Sequence, residues 1–264
     1  LAPASAITVL GVLVPRDASG YAALESKLNK TRDALKSDGV SVLVELKTGY
    51  PAEAVIECAD AHQADLVVLG AKGLRHTLGI FLGGVAQQVV EYSSRPVLVV
   101  RAPYRGLRRV MLVTDGSAHS TGMLKFLCGS DDRSPFPLPA GVEIQLVHVT
   151  PPPGLSYSYI PSTYVGPDLV VPMEEFAARQ DLEESQGREI LSKAAETLQQ
   201  AGIEATTVLL NGDAATEIIE YAQENQVDLI IAGSRGLSPA RRWLLGSVSR
   251  KLVHYAGCSV LVAK

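Results

Sequence analysis

Residues 39–100 of this chain align with residues 202–263 without a gap, at a constant offset of 163 positions, and about a third of the pairs are identical. The identities fall where backbone geometry is demanding: Gly39 with Gly202, Gly49 with Gly212, Gly70 with Gly233, Gly73 with Gly236, and Gly83 with Gly246. Asp65 matches Asp228, and the run "PVLVV" (96–100) matches "SVLVA" (259–263). A period this long is a duplicated domain, not a solenoid unit. The 264 residues suffice for two ordinary domains, each burying most of its apolar surface. The Arg-rich stretch "RAPYRGLRR" (101–109) reads as the linker, so the expected domains are 1–103 and 108–264.

Within the second copy, short continuous apolar runs alternate with helical patterns, as in a parallel sheet covered on both faces. The expected strands are "VMLV" (110–113), "EIQLVHV" (143–149), "ATTVLL" (205–210), "DLIIA" (228–232) and "SVLVA". A long helix is expected from about Glu174 to Gln200, where Ile190, Ala194 and Leu198 recur at i+4. Gly202 suits the positive φ that ends it. A second helix buries Ile218, Ile219 and Ala222, and a third runs over 247–255. With the helix after "VMLVTDGS", this makes a doubly wound α/β domain of five strands and four helices.

The first copy is shorter. Its "AITVLGVLVP" (6–15) corresponds to "GVEIQLVHVTP" (141–151), and a helix bearing Tyr21, Leu24, Leu28 and Leu35 follows, but nothing matches "VMLVTDGS". Neighbours of a central strand would otherwise show unpaired edges, so the sequence reading expects roughly 25–35 further residues upstream. A strand supplied by another chain is the alternative.

Composition narrows the function classes. A hydrophobic fraction of 47%, a charged fraction of 20% and a net charge of −4 describe a mildly acidic globular protein. That balance argues against nucleic acid as a partner, and "ARRW" (240–243) is a small footprint. No apolar run reaches the roughly 18 residues of a membrane span, and "LAPASAITVLGVLVPRD" lacks a basic signal-peptide region. A cytoplasmic protein without a membrane partner is expected. Cys58, Cys128 and Cys258 show no CxxC and no His at ligand spacing, so they read as packing residues. His62, His76, His119, His148 and His254 show no metal spacing and no paired nucleophile. Neither a metal site nor a catalytic residue is expected.

The stretch "GSRGLSPARRWLLGS" (233–247) lies between an apolar strand and a helix. Glycine at a strand end lets a ligand approach the backbone, and Gly236 would permit a turn with positive φ. Free amides at a helix N-terminus favour phosphate, and the Ser247 hydroxyl can cap the helix or donate to a phosphate oxygen. Arg235, Arg241 and Arg242 add positive charge. Neither a Walker A sequence nor GxGxxG occurs. The glycines alone leave two readings open: a phosphate cradle, and a loop that needs glycine for its turns.

The spacing Gly233-x2-Gly236-x9-Gly246-Ser247, the segment "VMLVTDGSAHS" and the closing "SVLVA" together resemble the nucleotide-binding signature of the universal stress protein family. The resemblance covers essentially the whole chain as two tandem copies. It implies two Rossmann-like, doubly wound parallel-sheet domains of the adenine nucleotide alpha hydrolase-like kind, the first lacking its first strand and helix. It also implies ATP as ligand, with Mg2+ accompanying it, and a function in stress response or signalling without classical enzyme activity. Carried over by position, Asp115 would hold the ribose or adenine side, with Thr114 beside it, and the Val149 backbone would meet adenine. Gly233, Arg235, Gly236, Gly246 and Ser247 would surround the phosphates with the amides of Val248 and Ser249. The Asp115 turn alone reads equally as a helix cap. The first copy keeps Gly70, Lys72, Gly73 and Gly83 but has Gly84 in place of Ser247, so a weaker site is expected there. The resemblance further implies edge-to-edge pairing of the last strands, an intramolecular pseudo-dimer that can itself dimerise. Alternatives are a slow ATPase, AMP or cyclic AMP as ligand, and a scaffold using the Pro/Tyr-rich insertion at 150–172.

Overall fold

The computed structural model describes residues 6–15, 20–36, 40–71, 82–104, 106–129, 136–152, 173–236 and 245–264. In chain order the elements are β1 (Ala6–Leu13), α1 (Tyr21–Leu35), β2 (Ser41–Thr48), α2 (Pro51–Ala61), β3 (Val67–Gly70), α3 (Gly84–Tyr92) and β4 (Val97–Val100). The second copy supplies β5 (Arg109–Val113), α4 (Ala118–Cys128), β6 (Glu143–Thr150), α5 (Met173–Gln200), β7 (Thr206–Asn211), α6 (Ala214–Glu224), β8 (Leu229–Gly233), α7 (Ser247–Tyr255) and β9 (Ser259–Ala263). The expected elements recur within one or two residues at their ends.

Duplication in sequence is duplication in backbone. Gly49 and Gly212, which follow β2 and β7, have φ of 150° and 149°. Gln63 and Gln226, two residues past α2 and α6, have φ of 49° and 53°, a left-handed conformation that few non-glycine residues adopt. Gly202 ends α5 with φ of 73°, as its place at the helix end requires.

The second copy forms the parallel order β9-β8-β5-β6-β7. Alternation along each strand feeds two cores. Met111, Ile230, Ala232, Val260 and Val262 face one side with Ile218 of α6 and Leu252 of α7. Val110, Leu112, Leu229, Ile231 and Leu261 face the other with Met123 and Leu127 of α4 and Leu198 of α5. Period-two burial on both faces is what a sheet covered by helices on both sides demands.

The strands of the first copy do not join in one sheet. Its β3-β4 pair continues the second copy's sheet, because β4 pairs antiparallel with β9 in the register Val97 to Val262 and Val99 to Val260. Its β1-β2 pair is a separate two-stranded parallel sheet. By the repeat, β5 of the second copy would have its counterpart between β1 and β3, and those two strands are not hydrogen-bonded to each other. Burial records the consequence: Val68 on β3 is 57% exposed, whereas its repeat partner Ile231 on β8 is fully buried.

Arg101, in the segment expected as the linker, also ties the two copies together. It is 9% exposed, and its guanidinium donates to the Val253 carbonyl at 2.7 Å and the His254 carbonyl at 3.1 Å, at the C-terminal end of α7. The repeat partner of Arg101 is Lys264, whose ammonium donates at 2.7 Å to the carbonyl of Val90, the partner of Val253. Each copy thus places a cation on the carbonyl end of the other copy's last helix, where the helix dipole favours it.

Candidate functional site

In the second copy, β5 lies between β6, which follows it in sequence, and β8, which returns from the far side. That reversal of strand order opens a crevice beyond the carboxyl ends of β5 and β8, the position where doubly wound sheets take ligands. Val113 pairs with both Val147 and Ala232, so Thr114-Asp115 leave the sheet beside His148-Val149 of β6 and Gly233-Ser234 at the end of β8.

A buried network builds the β5 turn. Thr114 is buried, its amide donates to the Val147 carbonyl at 3.0 Å, and its hydroxyl donates to Ser120 Oγ at 3.2 Å. His148 Nδ1 lies 2.8 Å from the Thr114 carbonyl, which fixes the turn from the neighbouring strand. The Ser117 amide donates to Asp115 Oδ1 at 3.0 Å, and Ser117 caps α4 by accepting from the Ser120 amide. Asp115 is therefore a turn-former and Ser117 the cap, an arrangement that leaves Asp115 Oδ2 facing the glycine loop.

That loop approaches closely on two sides. A Cβ on Gly233 would lie 3.1 Å from the His119 carbonyl carbon and oxygen, so β8 passes tightly against the backbone of α4's first turn and a side chain there would push the two apart. A Cβ on Gly236 would lie 2.5 Å from Asp115 Oδ2. Gly236 does not have the positive φ expected from the sequence; a side chain there would instead have to displace the Asp115 carboxylate. The Gly246 amide donates to the Ser234 carbonyl at 2.8 Å, which closes the loop and sets α7 in place.

The helix start differs from expectation in one respect. Gly246 is the N-cap of α7 and no side chain caps it, so Ser247 is the first helical residue and does not cap. Its side chain is exposed, while Ser249 turns inward and donates to the Gly233 carbonyl at 2.6 Å. Val248 and Val149 are half-buried, both packed on the core face that carries α6 and α7. An uncapped helix N-terminus retains amides suited to an anion. Arg235 is half-buried in the same loop.

In the first copy, Gly83 is likewise an uncapped N-cap, Gly84 opens α3, and the Gly83 amide donates to the Ala71 carbonyl at 2.8 Å. Gly70 ends β3. Lys72 and Gly73, the segment 237–244 with Arg241 and Arg242, and residues 153–172 of the Pro/Tyr-rich insertion lie outside the described residues.

Sequence reasoning missed three things here. His148 and Ser249 act as buried braces, which a lone polar residue in an apolar run signals only weakly. The third is a cluster in the first copy, where Glu45, Cys58 and His62 bring their donor atoms within 4.8 Å of one another. Cys58 and His62 stand four apart on one helix face, a ligand spacing after all, but Glu45 joins them only through tertiary folding.

Tandem α/β repeats of Rossmann type, with a glycine-lined crevice at a topological switch point, define the class. The family model for the universal stress protein family matches residues 2–101 and 106–264, and the chain belongs to that family. Universal stress protein Slr1230 of Synechocystis is 24% identical over 239 residues, covering 89% of this chain and 69% of that protein. Universal stress protein YxiE of Bacillus subtilis is 40% identical over 79 residues, 30% of this chain and 53% of that protein. Against YxiE and universal stress protein MJ0531 of Methanocaldococcus jannaschii, the chain spans about half the length of the relative. A crystal structure of a universal stress protein from Archaeoglobus fulgidus shares the fold, with a TM-score of 0.62 at 19% identity, covering 98% of this chain and 86% of that one. Among the described residues, no helix is long and apolar enough to cross a membrane.

Proposed function

We propose that the second copy binds ATP in the crevice between β5 and β8, and that the chain acts as a nucleotide-dependent stress or signalling module. The observation that carries this reading is the closeness of Asp115 Oδ2 to Gly236, 2.5 Å from where a Cβ would stand, which supports a site in which a carboxylate adjoins a phosphate-type loop. A carboxylate accepts from ribose hydroxyls or an adenine amine, while the loop and the uncapped start of α7 offer amides to phosphates. Gly246 supports the loop: a side chain there would come within 3.3 Å of the Arg235 backbone. Mg2+ would accompany the phosphates. In the same reading the protein is a binding module and not a classical enzyme, works in the cytoplasm, and uses the β4–β9 pairing and the Arg101 and Lys264 contacts as a pseudo-dimer interface.

Titration calorimetry of the full chain with ATP, AMP and cyclic AMP tests this. ATP is expected to bind with one dominant site, weakened at least about 10-fold by Asp115→Ala, the loss of one charged hydrogen-bond acceptor. Gly246→Val should abolish it. Absence of ATP binding to the wild-type chain overturns the reading.

A further inference from the structure

We propose that the first copy carries a binding site for a borderline divalent cation of the Zn2+ type, formed by Glu45, Cys58 and His62. Glu45 stands on β2, Cys58 on α2, and His62 at the C-cap of the same helix, one turn beyond Cys58. Glu45 Oε1 lies 2.5 Å from His62 Nε2, and Glu45 Oε2 lies 3.6 Å from Cys58 Sγ. The three donors therefore converge on one point from a rigid strand and a rigid helix.

Their chemistry suits this cation. Zn2+ takes thiolate sulfur at about 2.3 Å and imidazole nitrogen or carboxylate oxygen at about 2.0 Å in a tetrahedron. Adjacent ligand atoms then stand about 3.3–3.6 Å apart. The Cys58–Glu45 separation already meets that value. Glu45 meets His62 through its other oxygen, Oε1, in a direct hydrogen bond, so the carboxylate must turn as well as withdraw to admit a metal at standard ligand lengths. One thiolate and one carboxylate neutralise the dication, so a loaded site carries no net charge into its partly buried surroundings.

Access and protection are divided between the ligands. Cys58 is 5% exposed, whereas the His62 side chain is 39% exposed and opens the fourth position to solvent. The duplication supplies an internal contrast, since Val208, Tyr221 and Asn225 occupy the three corresponding positions and cannot form the same set. The cluster is thus particular to the first copy and lies apart from the Asp115 crevice. Binding breaks the Cys58 S–H bond, forms an S–metal bond and releases that proton to solvent, while the Nε2 proton that His62 donates to Glu45 shifts to Nδ1 through solvent so that Nε2 can take the metal.

The test uses the full chain with Zn2+ alone, in competition with a chromogenic chelator, and with Co2+ as a spectroscopic probe. Expected are one Zn2+ per chain, release of a proton on binding, and a thiolate-to-cobalt charge-transfer band in the near ultraviolet. Cys58→Ser and His62→Gln should each weaken binding by more than the ~10–100-fold that second-shell changes cost, and Cys58→Ser should remove the cobalt band. Cys128→Ser should change neither. Glu45→Gln, on a more accessible side chain, provides the same test should Cys58→Ser fail to fold. The proposal is overturned if the wild type does not compete with the chelator, if the cobalt band is missing, or if the folded ligand variants bind as the wild type does.

Discussion

Gly236→Ala is expected to be destabilising only while Asp115 is present. The added Cβ would lie 2.5 Å from Asp115 Oδ2, so the carboxylate must retreat by about 0.9 Å to reach ordinary contact near 3.4 Å. Asp115 is tethered by the Ser117 amide at 3.0 Å, and that retreat breaks the tether. A hydrogen bond to a charged acceptor contributes about 1.5–3 kcal/mol, and solvent at this half-buried site brings the expected loss to the lower end, about 1.5 kcal/mol. In an Asp115→Ala background the clash is gone. Gly236 there has no positive φ to lose, so alanine stabilises by about 0.4–1 kcal/mol through the unfolded chain. The same substitution therefore changes sign. A double-mutant cycle by urea denaturation, with the nucleotide left out, reads the coupling directly, and the crevice geometry is wrong if the two effects add within about 0.5 kcal/mol. Repeated with ATP by calorimetry, the cycle should show Gly236→Ala weakening affinity in the wild type and adding little to Asp115→Ala.

Two further substitutions probe the framework. Arg101→Met keeps the aliphatic stem but leaves the carbonyls of Val253 and His254 without their donor, and should cost about 2–3 kcal/mol, or about 5–10 °C in Tm by scanning calorimetry. An unchanged Tm would show that water replaces the guanidinium freely. Asp213 caps α6 by accepting from the Thr216 hydroxyl at 2.7 Å and the Thr216 amide at 3.1 Å, and these bonds, with Lys251 beside them, hold its carboxyl below the usual 3.8. Because the folded pKa is depressed, this contribution is complete above pH 3.8 and is lost as pH falls through the folded value. Asp213→Ala should cost about 1 kcal/mol at neutral pH. Asp213→Asn should retain most of the cap and flatten the acid limb of the stability curve measured by urea titration.

Periodicity and the repeat made most of the fold legible. Apolar runs such as "DLIIA" mark strands buried on both faces, and one offset relates β7, α6, β8, α7 and β9 of the second copy to β2, α2, β3, α3 and β4 of the first. The glycine positions were legible too, but not always for the right reason. Gly236 is needed because Asp115 approaches it, a contact between residues 121 positions apart that no local pattern encodes. Ser247 looked like a cap by residue type, yet Gly246 holds that position, because the chain enters α7 one residue earlier. Arg101 read as linker composition, since only the β4–β9 pairing brings it to α7. The Glu45, Cys58 and His62 cluster was half visible as an i, i+4 pair, and its third member depends on how β2 lies against α2.

The antiparallel junction between β4 and β9 fixes where the two copies look. Since β3 runs parallel to β4, and β8 parallel to β9, the chain leaves Gly70 and Gly233 at opposite rims of the seven-stranded sheet. The loops that follow β3 and β8 therefore start from opposite edges of that sheet. What joins the rims is a pair of crossed clamps: α7 begins at one loop and ends under Arg101, while α3 begins at the other and ends under Lys264. Each of these helices is thus held at its carbonyl end by the residue that follows the last strand of the opposite copy, so neither copy completes its own helix ends alone.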